Sequence, residues 1–129
     1  MLVIKGNVHT SKGPIPVEEL QEGDLLVDRG HRARKLLKIE RQTAEGVLKF
    51  SRNAAVLSAD AVLLTAYGAR SAVSIDGVKQ LRDGAVSMAL PNYRVVQDKI
   101  LLSEESGEGY KLTVEDGENI FVNDYCVKL

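Results

Sequence analysis

The stretch from His9 to Val27, HTSKGPIPVEELQEGDLLV, indicates most about how the chain folds. Its first half is rich in turn-forming residues, and Gly13 can adopt the positive φ that a tight turn needs. A short amphipathic segment follows, in which Val17 and Leu20 are three residues apart and share one face of a helical turn. A second turn at Gly23 leads into an apolar run of strand length. The stretch therefore predicts a strand, a turn, a short helical turn, another turn and a strand.

Length and composition narrow the classes of protein that the chain can form. With 129 residues it is predicted to be one domain, residues 1–129, that can bury a sizeable core. The formal net charge of −1 gives no general electrostatic reason to expect nucleic acid or a membrane surface as a partner. The single cysteine, Cys126, excludes an internal disulfide and a cysteine-based zinc site. Without a membrane span or signal-peptide pattern, the expected location is the cytoplasm.

Short apolar runs separated by turn residues favour an all-β chain. Candidate strands include Leu2–Ile4 and Val47–Phe50, and later two separate pieces, Arg94–Val96 and Ile100–Leu102. The basic run from Asp28 to Arg41 is predicted to be a hairpin with a solvated face, and a phosphate-binding patch is the alternative. Its basic side chains are Arg29, His31, Arg32, Arg34, Lys35, Lys38 and Arg41.

Two segments of the chain echo each other. The T-x-x-G pattern of Thr10–Gly13 recurs as Thr65–Gly68, and the run Leu20–Val27 has a weaker counterpart in Leu81–Val86. A repeat at a spacing of about 55 residues predicts two related β subunits that fold against each other.

The closing run from Tyr110 to Leu129, YKLTVEDGENIFVNDYCVKL, carries the most specific pattern. Together with the opening stretch, it resembles the first and last sequence blocks of the Hint (Hedgehog/intein) family. The matching positions are Thr10, Gly13, Pro16, Val17, Glu18, Glu19, Leu20, Gly23, Asp24, Val27, Tyr110, Leu112, Val114, Glu115, Asn119, Phe121, Val122, Asn123 and Val127. The resemblance implies an all-β, horseshoe-shaped fold of two pseudo-twofold related β subunits, with both chain ends brought to one site.

The same resemblance implies which positions would carry autoprocessing chemistry. The family has a Cys or Ser nucleophile at the first position, a Thr-x-x-His motif, a further His in the closing stretch, and a final His-Asn pair. Here those places hold Met1, Ser58–Ala61, Glu118, Lys128 and Leu129. Met1 has a thioether that cannot be deprotonated, and Ala61 has a methyl group where the motif has an imidazole. We therefore predict no active catalytic residue, with vestigial positions at Met1, Ser58, Ala61, Glu118, Lys128 and Leu129.

The sequence indicates no other site. It contains no P-loop, no dinucleotide fingerprint and no zinc-ligand spacing, so neither a cofactor nor a metal is predicted. His9 and His31 fall on no family histidine position and are interpreted as ordinary polar residues, and Cys126 as a small buried hydrophobe. Five aspartates are scattered along the chain, and most of them are assigned to turns rather than to a metal cluster: Asp24, Asp28, Asp60, Asp83 and Asp116.

The family pattern also predicts the core and the position of the chain ends. Met1 should lie near Ala61 and near Lys128-Leu129. The side chains expected to be buried are Val17, Leu20, Leu25, Val27, Leu63, Leu64, Val86, Val114, Phe121 and Val122.

Three hypotheses for function follow. The leading one is a catalytically inactive intein-like domain that serves as a structural or protein-binding module, with protein partners in a larger assembly such as a phage or prophage virion. The second is a protein-splicing or autocleaving Hint domain in an inactivated form. The third, a nucleic-acid-binding module that uses the basic run, is disfavoured by the net charge of −1.

Overall fold

The computed structural model describes residues 1–65, 68–71, 80–87 and 94–129, with residues 80–87 and 94–97 described by their backbone alone. Within these ranges the chain forms fourteen strands and one short 3₁₀ turn, so the all-β prediction is confirmed. The strands are β1 (Val3–Lys5), β2 (Asn7–Thr10), β3 (Gly13–Pro16), β4 (Leu25–Val27), β5 (Ala33–Ala44), β6 (Val47–Phe50), β7 (Val56–Ser58), β8 (Val62–Thr65), β9 (Gly68–Ser71), β10 (Gln80–Ser87), β11 (Arg94–Ser103), β12 (Gly107–Val114), β13 (Asn119–Val122) and β14 (Tyr125–Lys128).

The strands form one curled antiparallel sheet. Hydrogen-bonded neighbours run in the order β10-β11-β6-β7-β1-β12-β5-β4-β2-β13-β14-β8-β9, with β3 paired to β2. Strand β10, at one end of this path, also pairs with β14 and β8 near the other end. The sheet therefore bends back on itself and encloses a core. No helix in the described part of the chain is long and apolar enough to cross a membrane.

The sequence echo corresponds to a repeated structure. Thr10 donates its hydroxyl to the carbonyl of Gly13 at 2.7 Å, and Thr65 does the same to Gly68 at 2.7 Å. Both glycines have positive φ, 101° and 104°, which only glycine adopts without strain. Each threonine also pairs with the strand that follows its hairpin, β4 in one half and β10 in the other. Since the strand pairing of the hairpin, the threonine hydrogen bond and the third strand match, the two halves are structural counterparts.

The short helical turn in the opening stretch is confirmed. It is a 3₁₀ turn over Val17–Glu19, closed by a hydrogen bond from the Leu20 N–H to the Val17 carbonyl. Pro16 precedes it with an extended backbone, so the turn begins where the strand β3 ends. Val17 and Leu20 are both buried while the two glutamates face solvent, as the spacing predicts.

Most of the predicted core is found inside the sheet. The buried members are Val17, Leu20, Leu63, Phe121 and Val122. The half-buried members are Val27, Leu64 and Val114. The side chain of Val86 lies outside the described residues.

The prediction for Leu25 is wrong, because this side chain is 41% exposed. Its neighbour Leu26 occupies the inward position instead and is 1% exposed. Alternate residues of a strand face opposite sides, so the choice between two adjacent leucines depends on register alone. The register is set by pairing of Leu26 with Thr10 and of Leu25 with Lys35.

The basic run forms the predicted hairpin, and acidic residues neutralise part of its charge. Asp28 accepts the Arg32 N–H at 2.9 Å and lies 3.4 Å from the Arg34 guanidinium. Burial raises the pKa of Asp28, but these bonds outweigh burial and hold the pKa below its ordinary value. Farther along β5, Arg41 pairs with Glu108 at 2.8 Å. This pairing agrees with a solvated hairpin face rather than a phosphate-binding patch.

The two strand pieces expected in the late part of the chain are in fact one. Strand β11 runs without a break from Arg94 to Ser103. The polar residues between the two apolar pieces do not interrupt the strand, and one of them, Asp98, is buried within it at 3% exposed.

Candidate functional site

The first residues of the chain lie against the segment that replaces the Thr-x-x-His motif. The Leu2 N–H donates to Ser58 Oγ at 2.6 Å, and the Ser58 N–H donates back to the Leu2 carbonyl at 2.9 Å. The Met1 amino group lies 3.4 Å from the Asp60 carboxylate. These three contacts fix the first residue beside the segment Ser58–Ala61.

Ser58 and Asp60 form a small polar network at this junction. Ser58, only 4% exposed, donates its hydroxyl to Asp60 Oδ1 at 2.5 Å. The Ser58 hydrogen bond is the main cause that lowers the pKa of Asp60, and the charged amino group of Met1 adds to it. The Asp60 side chain is itself 70% exposed, so water screens this charge. The segment therefore presents an ionised carboxylate to the first residue of the chain.

The C-terminal end lies against the turn that carries the position of the closing-stretch histidine. The Leu129 N–H donates to the Glu118 carbonyl at 2.9 Å. A Cβ on Gly117 would come within 2.9 Å of Leu129 Cδ1, so a glycine there leaves room for the terminal side chain. Lys128 pairs with Asn119 in the β13–β14 ladder, and its side chain is exposed.

Strand register relates this end to the Ser58–Ala61 segment. Val127 of β14 is the antiparallel partner of Leu63 in β8. Strand β14 ends at Lys128, one residue before Leu129, and β8 begins at Val62, one residue after Ala61, so the two strands bring these ends of the chain to the same side of the sheet.

The positions that the resemblance aligns with reacting residues therefore lie near the junction of both chain ends. Met1 contacts the Ser58–Ala61 segment, the strand that ends beside Leu129 pairs with the strand that follows this segment, and Glu118 contacts Leu129. Lys128 belongs to the same strand end but points its side chain to solvent. This is the arrangement that the alignment of Ser58–Ala61 with the Thr-x-x-His motif requires.

The side chains at this junction supply little of the chemistry that autoprocessing needs. A thioether at Met1 does not become a nucleophile, and a methyl group at Ala61 cannot donate a proton. Ser58 keeps a hydroxyl where the motif has threonine, but that hydroxyl already donates to Asp60 and accepts from the backbone. Chemical inactivity of the junction stays a prediction, and an activity assay tests it.

The Cys126 thiol and the His9 imidazole make their contacts away from the junction of the chain ends. Cys126 is fully buried against Phe121, and burial raises the pKa of its thiol to about 12, so it is an inert hydrophobe as predicted. His9 on β2 donates Nε2 to Asp124 Oδ1 at 2.6 Å and meets the Phe121 ring edge to face. His31 has a left-handed backbone, φ 60°, in the turn between β4 and β5.

One interaction of the turn aspartates, the pairing of Asp60 with the Met1 amino group, was not predicted from the sequence. The aspartates at positions 24 and 28 do cap turns, as expected: Asp24 accepts the Gln21 N–H at 2.8 Å, and Asp28 accepts the Arg32 N–H. Asp60, however, also pairs with the Met1 amino group, which only the fold brings close. The sequence gives a signal only for the hydrogen bond of Asp60 with Ser58, because the two residues are two positions apart and the carboxylate is within reach of the hydroxyl.

No family model matches the sequence, and a comparison with curated proteins finds no match. Solved structures do match over the whole chain. A DnaB intein from Synechocystis sp. PCC 6803 has a TM-score of 0.73 and 15% identity, with 99% of this chain and 98% of that chain covered. The gp41-1 intein has a TM-score of 0.72 and 13% identity, with 99% and 98% covered. A bacterial intein-like domain from Clostridium thermocellum has a TM-score of 0.72 and 15% identity, with 100% and 99% covered.

These similarities define the fold. The chain has the Hint fold, the horseshoe of inteins and intein-like domains, as its opening and closing blocks predict. With identities of 13–15%, the likeness concerns the fold and not the activity.

Proposed function

We propose that this protein is a catalytically inactive intein-like domain that acts as a structural or protein-binding module. The observation that carries the proposal is the junction of the chain ends. The contacts of Met1 with the Ser58–Ala61 segment and of Leu129 with Glu118 support the alignment with the family positions, and those positions hold Met1, Ala61, Glu118 and Leu129. Removing one member of a catalytic unit already costs orders of magnitude in rate, and here the nucleophile, the motif histidine and the final His-Asn pair are all replaced.

Retention of the scaffold without its chemistry favours a role in binding or assembly. The proposed partners are proteins in a larger assembly, such as a phage or prophage virion. The proposed location is the cytoplasm or that virion. Among the residues whose side chains the structure describes, four large apolar ones are exposed and available for such contacts: Leu25, Leu37, Leu101 and Leu102. The proposal includes neither a membrane nor nucleic acid, and it requires no cofactor or metal.

The test is a splicing assay on a fusion protein. The chain is placed between two flanking domains of different mass and incubated with and without thiol. We expect the precursor to persist intact, while a DnaB intein from Synechocystis between the same flanks provides the positive control. Ligated flanks, or release of either flank above the uncatalysed background, would overturn the proposal.

A second candidate is a protein-splicing or autocleaving Hint domain in an inactivated form. It is favoured by the two hydrogen bonds of Leu2 with Ser58 and by the pairing of β14 with β8, which bring both chain ends toward the Ser58–Ala61 segment. A parent gene with Cys at position 1, His at position 61 and His-Asn at positions 128 and 129 would support it. A parent gene with the present residues, located among capsid or tail genes, would support the structural role.

A further inference from the structure

Strand β5 has a long free edge. The strand has twelve residues, and one of its sides pairs with β12 over most of that length. On the other side β4 covers only the first three residues, and the Leu36 backbone then bonds to Gly23 and Asp24. Within the described ranges, residues 37–44 have no pairing on that side. Alternate backbone N–H and C=O groups are therefore open to a further strand.

The free edge is guarded by charge rather than by proline. Strand β3, which pairs only with β2, contains Pro14 and Pro16, and proline cannot donate to a further strand. Strand β5 has no proline and instead carries Lys38, Glu40 and Arg41 along the edge. Charges on an edge repel a strand that sets the same charge opposite them and attract one that sets the opposite charge there. The order of the charges therefore selects the strand that can pair.

One face of β5 carries the two charges that matter most. Lys38 and Glu40 are two residues apart on this face, with Nζ and Oε1 3.6 Å from each other. In the ladder with β12, Glu40 lies opposite Lys111 and Lys38 opposite Thr113. A complementary strand must therefore bring a cation to Glu40 and an anion to Lys38, two residues apart.

A second copy of β5 supplies this pattern by symmetry. When two copies pair antiparallel about a two-fold axis beside residue 39, Lys38 of each lies opposite Glu40 of the other. Each Glu40 is then flanked by Lys111 of its own chain and Lys38 of the second copy. Charges alternate across the joined sheet, so the ladder gains attraction on this face.

The other face of the strand is apolar at the same position. Ile39 is half-buried at the border of the core and lies opposite the buried Leu112 in the ladder with β12. In the symmetric pairing its open flank is covered by Ile39 of the second copy. Leu37, which is 47% exposed, lies beside Arg41 of that copy, whose aliphatic stem can cover it.

Neighbouring registers oppose like charges. An axis beside Lys38, Glu40 or Arg41 sets that side chain directly against its own copy, which is destabilising. An axis beside Gln42 leaves Lys38 without an acidic residue opposite it. The turn at Gly23 and Asp24 ends the free edge at Leu36, so the favoured register pairs residues 37–41 of each copy.

We propose that the protein forms a two-fold dimer in which residues 37–41 of β5 pair antiparallel with the same residues of a second copy, centred on Ile39. The inference goes beyond the proposed function, because it assigns one protein partner, the chain itself, and the edge that holds it.

The first test is a dilution series of the ¹⁵N-labelled protein. A ladder of five residues is smaller than a standard interface, so we expect a Kd on the order of 0.1–1 mM. Amide shifts should depend on protein concentration at residues 37–41 and follow a dimer isotherm. Sedimentation velocity over the same range should show a rise toward the mass of a dimer.

Charge reversal then tests the register. Lys38→Glu sets carboxylates opposite each other at two places in the dimer, and Glu40→Lys sets ammonium groups there, so each should weaken self-association about tenfold or more. An equal mixture of the two variants restores opposite charges at both places. Labelled Lys38→Glu should therefore show the edge shifts again when unlabelled Glu40→Lys is added. Lys12→Glu, a reversal at an exposed lysine in the turn between β2 and β3, is the matched control and should self-associate like the wild type.

Three results would overturn the inference: shifts at residues 37–41 that do not depend on concentration, unchanged self-association of Lys38→Glu, or no association in the mixture of folded variants. Unshifted core amides establish that each variant is folded, and the dilution series needs no variant. The experiment does not depend on splicing chemistry. A chain that splices and dimerises would refute the proposed function alone, and an inactive chain that stays monomeric would refute the dimer alone.

Discussion

Asp98 should be the most important polar side chain for stability. It is 3% exposed and accepts four donors: the N–H groups of Ser51, Arg52 and Lys99 at 3.0, 3.0 and 2.6 Å, and the Tyr125 hydroxyl at 2.6 Å. Asp98→Ala leaves all four without an acceptor. Tyr125 is buried, so leaving its hydroxyl without an acceptor should cost about 2 kcal/mol of stability. Each backbone N–H is closer to water, so the loss of its acceptor should cost about 0.5–1 kcal/mol. We expect a loss of about 4 kcal/mol, a large part of the stability of a typical domain.

Two further variants show whether this reasoning is right. Asp98→Asn keeps one acceptor oxygen for the backbone groups and can donate to the phenol oxygen, so it should lose only about 1 kcal/mol. Tyr125→Phe removes one bond and should cost about 1 kcal/mol, with strong coupling to Asp98→Ala in a double-mutant cycle.

The assay is equilibrium unfolding in urea. With an m-value of about 2 kcal/mol/M, a loss of 4 kcal/mol lowers the midpoint by about 2 M at unchanged slope. Asp98→Ala with a loss under about 1 kcal/mol would refute the argument. So would an Asp98→Asn variant as unstable as Asp98→Ala.

Three other predictions concern the core, the turns and acid stability. Leu20→Ala removes a buried side chain and should lower the free energy of unfolding in a denaturant melt by about 2–5 kcal/mol. Leu25→Ala removes an exposed side chain and should lower it by less than about 1 kcal/mol, so equal losses would contradict the core described above. Gly6→Ala should lower Tm more than Gly13→Ala, although both glycines have positive φ, 143° and 101°. The new Cβ at position 6 would lie 2.7 Å from a valine methyl, whereas the one at position 13 meets nothing within 4 Å. Asp28 has a pKa below its ordinary 3.8, so its stabilisation is present above that pH and is lost as the pH falls through the folded-state value. Asp28→Asn should therefore show a smaller loss of stability between about pH 5 and pH 2 than the wild type, and an identical acid limb would count against the shift.

The sequence predicts the fold well where local chemistry determines the structure. Gly13 and Gly68 are required by turns with positive φ, and each follows a threonine whose hydroxyl closes the turn. Because this pattern is local and occurs twice, it indicates the pseudo-twofold fold directly. The burial of Val17 and Leu20 follows in the same way from spacing on one helical turn.

The sequence predicts less where distant segments decide the outcome. Leu25 and Leu26 are equivalent in composition, and only pairing with β2 and β5 selects the inward one. No local pattern indicates that Asp98 is buried, because only the fold brings the Tyr125 hydroxyl to its carboxylate. The His9–Asp124 pair joins residues 115 positions apart, and no local pattern indicates it.

For the candidate site too, the sequence predicts what spacing determines but not what depends on how distant segments meet. Family spacing is enough to propose Met1, Ala61 and Leu129 as the positions of reacting residues, since the closing block aligns without a gap. The contact of the Met1 amino group with Asp60 depends on how β1 enters the sheet, which spacing does not determine.

The central claim is that the scaffold of an autoprocessing domain is kept while its reacting groups are absent. The most direct test is a time course, followed by mass spectrometry, of two flanked precursors with added thiol. One is the wild type, and the other carries Met1→Cys, Ala61→His, Lys128→His and Leu129→Asn. We predict no cleavage of the wild type and slow N-terminal cleavage of the restored variant, since catalytic geometry must be held within about 0.5 Å by supporting residues that have changed. Thiol-dependent cleavage or ligated flanks from the wild type would contradict the claim.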